Sequence, residues 1–266
     1  MSPGSVQRGV DTGPAYDLSM SEVRTSSWAD GEIVGFDLET TGTDPNTALP
    51  VSFSFVTFLD HKQVQVETSP VDPGCEIPAG AQTVHHISTE RARSEGVSLE
   101  NAARIVIDAL LDASTRSVPV AGMNLGYDLT IIDRLSRAYD GSGLFDAGFS
   151  SPVLDALVID RHLDPYRRDS RRLADLCRVY GVEQGDLHDA CADAAMAVKV
   201  VLAIADHSPG LALAAPGALT AEQEGWHAAW AESYSTWRVR NGQGPLAPEG
   251  HTWPVRACEV PPSLHP

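Results

Sequence analysis

Three strand-like runs come first in this 266-residue chain, and strand-like and helix-like stretches alternate only after them, an order that few folds accommodate. Ile33-Val34-Gly35-Phe36 is a short apolar run ending at Asp37. Val51 to Leu59 and Val64 to Glu67 are rich in β-branched and aromatic residues, with His61-Lys62 between them as the turn of a hairpin. Ser98 then precedes Leu99, Ala102, Ala103, Val106, Ala109 and Leu110, a helical stripe for which Ser98 suits the N-cap. Val118 to Met123 returns as a strand, Leu129, Ile132 and Leu135 recur at helical spacing, and the first part of Val153 to Ile159 suits another strand. Leu173, Leu176, Cys177 and Tyr180 line a helical face closed by Gly181, and a longer helix runs from about Asp189 to Asp206. The expected class is α/β, a mixed sheet flanked by helices.

Residues 1–30 are rich in Ser, Gly, Pro and Asp and read as a flexible leader, with a core domain over 31–207. From 208 to 266, Pro209, Gly210, Pro216 and Gly217 mark a linker before a tail holding four of the five tryptophans, Trp226, Trp230, Trp237 and Trp253. A helix over Thr220 to Arg238 would either pack its Trp face onto the core or dock a partner such as a polymerase, and the sequence leaves both open.

The formal net charge is −17, with Lys62 and Lys199 the only lysines, so the chain repels nucleic acid at long range. That argues against a passive, high-affinity nucleic-acid binder. It leaves room for an enzyme that neutralises phosphate locally with metal ions. The four cysteines show no CxxC spacing, which suggests neither a zinc knuckle nor a disulfide framework. With no apolar run long enough to span a bilayer and no secretory pattern at the N-terminus, a cytoplasmic protein without a membrane partner is expected.

Against this background three acidic motifs stand out. Alternate side chains of a strand share a face, so Asp37 and Glu39 reach toward one cation before Thr40-Thr41-Gly42 turns the chain. Asp128 lies just past a buried-looking strand, with Asn124 one helical turn earlier; Asn124 also suits an N-cap, and Asp128 a complement to the positive end of the helix. His188 is placed just before a helix and Asp193 in its first turns. Hard oxygen ligands from Asp37, Glu39, Asp128 and Asp193 suit two Mg2+ or Mn2+ ions, and an imidazole titrating near neutrality suits a proton acceptor. Such a pair of ions supports in-line displacement at phosphorus.

Phe36-Asp37-Leu38-Glu39-Thr40-Thr41-Gly42, Val84-His85-His86-Ile87, Asn124 to Asp128 and His188 to Asp193 together resemble the DnaQ-like (DEDD) family of 3'-5' exonucleases. With His188 five residues before Asp193, the resemblance is to its histidine-bearing (DEDDh) branch, and it spans about Glu32 to Asp206. It implies an RNase H-like sheet and stepwise release of nucleoside 5'-monophosphates from a 3' end, single-stranded or frayed. It further implies that Asp37, Glu39, Asp128 and Asp193 hold two metals and that His188 is the general base. Leu38 and Thr40 would contact the terminal nucleotide, while His85, Asn124 and Tyr127 would line the cleft, Tyr127 as a stacking ring. One departure is visible: the family usually has glycine where this chain has His86, a position at which glycine permits an unusual backbone angle.

Arg161, Arg167, Arg168, Arg171, Arg172 and Arg178 concentrate between the second and third motifs. Guanidinium forks suit phosphate oxygens, and Arg168 and Arg172 are the expected guides for the strand, unless the cluster is a solvated face paired with Asp164, Asp169 and Asp175. The leading expectation is a DNA 3'-5' exonuclease, its role in proofreading, repair or recycling left open by the sequence. The alternatives are an exoribonuclease that trims RNA ends and a catalytically silent polymerase-docking adaptor.

Overall fold

The computed structural model describes residues 27–184 and 189–256. A six-stranded sheet in the order β4-β3-β2-β1-β5-β6 organises them. Its first three strands, β1 (Glu32–Thr40), β2 (Pro50–Leu59) and β3 (Lys62–Asp72), form an antiparallel meander with Asp60 and His61 in left-handed turn conformations. Two short helices follow, α1 (Ala79–His85) and α2 (Thr89–Glu95), and the two-residue strand β4 (Val97–Ser98) pairs parallel with the end of β3. Helix α3 (Leu99–Thr115) begins where its stripe predicts, and the Ser98 hydroxyl accepts the Asn101 N–H. Strand β5 (Val120–Gly122) pairs parallel with β1, α4 (Leu125–Asp140) follows, and β6 (Val153–Asp155) pairs parallel with β5.

From β6 onward the chain is helical: α5 (Ala156–Leu163), α6 (Leu173–Tyr180), α7 (Ala190–His207), α8 (Pro209–Leu213) and α9 (Pro216–Arg240). Gly181 ends α6 at a φ of +70°, the left-handed cap expected of it. The mixed sheet flanked by helices is as the sequence predicts.

Strand β1 shows why the sheet has two cores. Val34, Phe36 and Leu38 face a cluster built with α3 and α4, while Ile33 on the opposite face joins a second cluster built with α7. Gly35 shares that second face, and a Cβ there would sit 2.7 Å from Val198 Cγ2 and 2.9 Å from the Ala194 carbonyl. Glycine at this point lets α7 lie directly against the strand.

Two boundaries drawn from composition differ from the packing. Trp28 and Ala29, placed in the leader, are buried in a short 3-10 turn, with Trp28 Nε1 donating to the Leu211 carbonyl at 2.8 Å. The proposed linker is absent from the described residues: Pro209 and Pro216 each open a helix, where the missing N–H costs nothing. Helix α9 then packs against β6 and α5, with buried Gln223 accepting from Asp155 N–H at 2.8 Å and donating to the Val153 carbonyl at 2.7 Å. Among the described residues no helix is long and apolar enough to cross a membrane.

Candidate active site

The acidic motifs meet at the C-terminal end of β1. Asp37 and Glu39 project from one face of the strand, and Asp193 projects toward them from the first turn of α7, which lies against Gly35. One carboxylate oxygen from each of these three falls within 4.8 Å of the others. Asp128, in the first turn of α4, is buried behind them and accepts the Leu38 N–H at 3.2 Å. Asp189 caps α7 through the N–H groups of Cys191 and Ala192 at 3.0 and 3.2 Å, adding a fifth carboxylate at the edge.

Electrostatically this cluster opposes itself. Burial, then Asp128, Glu39, Asp193 and Asp189, pushes the Asp37 carboxyl well above the usual carboxylate range. Glu39 is pushed up to about 8 by burial first and by Asp193 and Asp189 second. Burial also raises Asp128, with Asp155 and Glu39 adding to it and the backbone N–H groups opposing it. Closely spaced carboxylates cannot all ionise cheaply unless a cation joins them. The all-oxygen donor set therefore fits a hard divalent ion.

Beside the carboxylates opens a cleft of about 530 Å³, lined by Glu39 to Thr43, Pro78, Gly80, Ala81, Val84, His85, Asn124 and Tyr127. The Tyr127 hydroxyl donates to the Gly42 carbonyl at 2.5 Å and lies 2.7 Å from Thr40 Oγ1, which fixes its ring against the turn after β1. Burial raises this phenol to about 12, so it stays a neutral donor. His85 is buried, its Nδ1 accepts the Ile87 N–H at 3.1 Å, and burial lowers its pKa. Its neighbour His86 caps α1 at a φ of +58°, so the backbone keeps the left-handed turn without the usual glycine. Histidine is among the residues that tolerate this region best.

Asn124 occupies the N-cap position of α4 in a left-handed conformation, and its side chain makes no capping bond, so that expectation is corrected. The residue lines the cleft instead. Its backbone N–H donates to Asp155 Oδ1 at 2.9 Å. Leu38 has its side chain in the core at 6% exposure and is not among the cleft-lining residues; what it brings to the site is its N–H on Asp128. His188 lies outside the described residues.

The arginine cluster divides in two. Arg167 pairs with Asp160 and Asp164 at 2.9 and 3.1 Å, Arg171 pairs with Asp160, and Arg178 pairs with Asp175. Arg168 and Arg172 stay exposed, and among the described residues neither guanidinium has an ion pair.

Sequence reasoning missed Asp155. Buried at the N-cap of α5, it accepts from Asn124 and Leu157 N–H, both at 2.9 Å, and from Trp253 Nε1 at 3.3 Å. Only the position of Asp155 after an apolar strand and before a helix hinted at this. Gln223 and Trp253, which tie the C-terminal region to the same residue, gave no local signal.

Comparison with known proteins agrees with this fold. E. coli Exonuclease I in complex with a dT13 oligonucleotide has a similar fold, with a TM-score of 0.56 and 19% identity over 68% of this chain and 42% of that one. The product-bound form of exonuclease I gives a TM-score of 0.56 with the same identity, over 68% and 45%. A PolC-type DNA polymerase III from Lacticaseibacillus paracasei is 26% identical over 185 residues, 70% of this chain and 12% of the polymerase. The chain thus spans less than half the length of these relatives. The sequence model of the RNase T exonuclease family matches residues 34–201, from the first core strand through most of α7, and the chain belongs to that family.

Proposed function

We propose that this protein is a metal-dependent 3'-5' exonuclease acting on single-stranded or frayed DNA 3' ends and releasing nucleoside 5'-monophosphates. The observation that carries the reading is the convergence of Asp37, Glu39 and Asp193 within 4.8 Å at the edge of a cleft large enough for a nucleotide. The DNA oligonucleotide bound to E. coli Exonuclease I and the zinc-bound form of that enzyme support the substrate and the need for a divalent ion.

Asp37, Glu39, Asp128 and Asp193 would hold two Mg2+ or Mn2+ ions. When bound, these supply charge neutralisation at the phosphate and a more acidic water. The remaining work falls to the chain. Tyr127, oriented by Gly42 and Thr40, offers its ring to the terminal base, and Thr40, His85 and Asn124 shape the cleft around the sugar. His188, five residues before Asp193, accepts the proton of the attacking water. Arg168 and Arg172 contact phosphates of the incoming strand, so reversing both charges should raise KM at low salt.

A 5'-labelled single-stranded oligonucleotide incubated with Mg2+ or Mn2+ tests the proposal. Wild type should shorten it from the 3' end, and Asp37→Ala and His188→Ala should not. Equal degradation by all three would refute the assigned site. A matched RNA strand run in parallel reads the sugar preference, and faster RNA trimming would reassign the substrate.

A further inference from the structure

A second groove, of about 680 Å³, lies between α5 and α9 and is lined by Arg161, His162, Arg167, Arg171, Trp226 and Trp230 among others. One of its arginines has donors to spare. The Arg161 guanidinium sits 3.6 Å from the Trp230 ring centroid and, among the described residues, has neither an ion pair nor a hydrogen bond. Burial pulls its pKa down to about 10. Arg167 has a side chain only 10% exposed, and although its Nε and Nη2 reach Asp164 and Asp160, its Nη1 is buried without a hydrogen-bond partner.

Aromatic rings line the groove and continue beyond it along α9. His162 stacks on Trp226 with centroids 3.9 Å apart and planes within 6°. Trp230, Tyr234 and Trp237, at i, i+4 and i+7 of α9, form a ladder with centroid steps of 5.2 and 5.8 Å and planes within 11° at each step. The ladder begins under Arg161 and ends at Trp237, which is 52% exposed.

Position links the groove to the cleft. Helix α5 starts at Asp155, which holds the Asn124 N–H, and Arg161 follows six residues later, roughly 9 Å along the helix.

We propose that the α5–α9 groove, together with the aromatic ladder that leads out of it, is an accessory site for single-stranded nucleic acid, seating a phosphate on Arg161 and a base on the Trp237 end of the ladder. It rests on the exonuclease reading only for the identity of the strand, which would be the one whose 3' end lies in the cleft. A phosphate supplies an acceptor for the unpaired Arg161 guanidinium, and stacking on a ring is indifferent to base identity.

The test uses the full chain and a fluorescein-labelled single-stranded DNA 12-mer in EDTA, with affinity read by anisotropy across a salt series. Arg161→Gln and Trp237→Ala should each weaken 12-mer binding about five-fold or more, and Arg161→Gln should also reduce the salt slope by about 1. Because Trp237 is exposed, its variant should fold even if Arg161→Gln does not, and melting temperatures check both. In the cleavage assay, the KM advantage of a 12-mer over a dinucleotide should shrink by a similar factor. Wild-type affinity and salt slope in both variants, or no 12-mer binding by wild type, would overturn the proposal. Binding in EDTA is read without turnover, so a chain that fails to cleave any oligonucleotide would refute the nuclease reading while leaving this outcome legible.

Discussion

Two groups of buried carboxylates in this protein have opposite surroundings. Asp160 on α5 is fully buried and receives Arg167 at 2.9 Å, Arg171, and the Tyr180 hydroxyl at 2.8 Å. At the end of β1, Asp37 is surrounded by Asp128, Glu39, Asp193 and Asp189, and every one of these charges raises its pKa. The first arrangement is a structural fastener, complete as it stands. In the second, stability is reduced at the place where a cation would bind. Burial of an acid alone does not mark a functional site; the sign of what surrounds it does.

Exchange of single residues should separate the two groups sharply. Asp37→Ala should lower exonuclease activity by about 10³-fold or more, since on the proposed metal reading several kcal/mol of charge stabilisation would be lost with this ligand and each 1.36 kcal/mol is tenfold. In EDTA the same variant should melt no lower than wild type, because a repelled carboxylate has been removed; a large drop in melting temperature would contradict the comparison. Asp160→Asn should do the reverse. Breaking a buried ion pair on one side costs about 3–5 kcal/mol, readable by urea denaturation.

Acidity and metal together probe the cluster at the next level. Glu39, with an ordinary value of 4.5, titrates at about 8 in the folded protein, so the folded state binds this proton more tightly than the unfolded one. The associated stability is fully present below about 4.5 and is lost as pH rises toward 8. Melting temperature in EDTA should therefore fall between these values, and saturating Mg2+ should flatten the slope. A slope identical with and without the ion would argue against metal binding here. The smallest effect is expected at Asp155, an intermediate case satisfied by N–H donors alone: Trp253→Phe removes one of them and should cost about 1 kcal/mol of stability.

The sequence carried most of the sheet and the acidic cluster, because both are written in local patterns. Alternation in β1 puts Asp37 and Glu39 on one face whatever the rest of the chain does, and Ser98 and Gly181 announce helix ends through their own chemistry. Contacts between distant segments were illegible. Nothing near Gln223 or Trp253 indicates that both bind Asp155, 68 and 98 residues away. Pro209 and Pro216 were read as linker because proline interrupts a helix in its interior, whereas both stand at the first turn, where proline is welcome. The arginine cluster was visible as a count, but which arginines were already taken depended on Asp160, whose burial no local pattern reveals.

Gly35 carries a consequence for ion choice. Its missing side chain lets α7 rest on β1, with Val198 and Ala194 where a methyl group would be, and Asp193 rides on that helix. The gap between strand and helix thus sets how far the Asp193 carboxylate stands from Asp37 and Glu39. Mg2+ demands oxygens at roughly 2.0–2.1 Å and Ca2+ accepts roughly 2.3–2.6 Å, so that spacing bears on which ion fits. On the proposed metal reading, a hydrogen atom in place of a side chain, two residues before the first carboxylate, sets the spacing that a bound ion would meet.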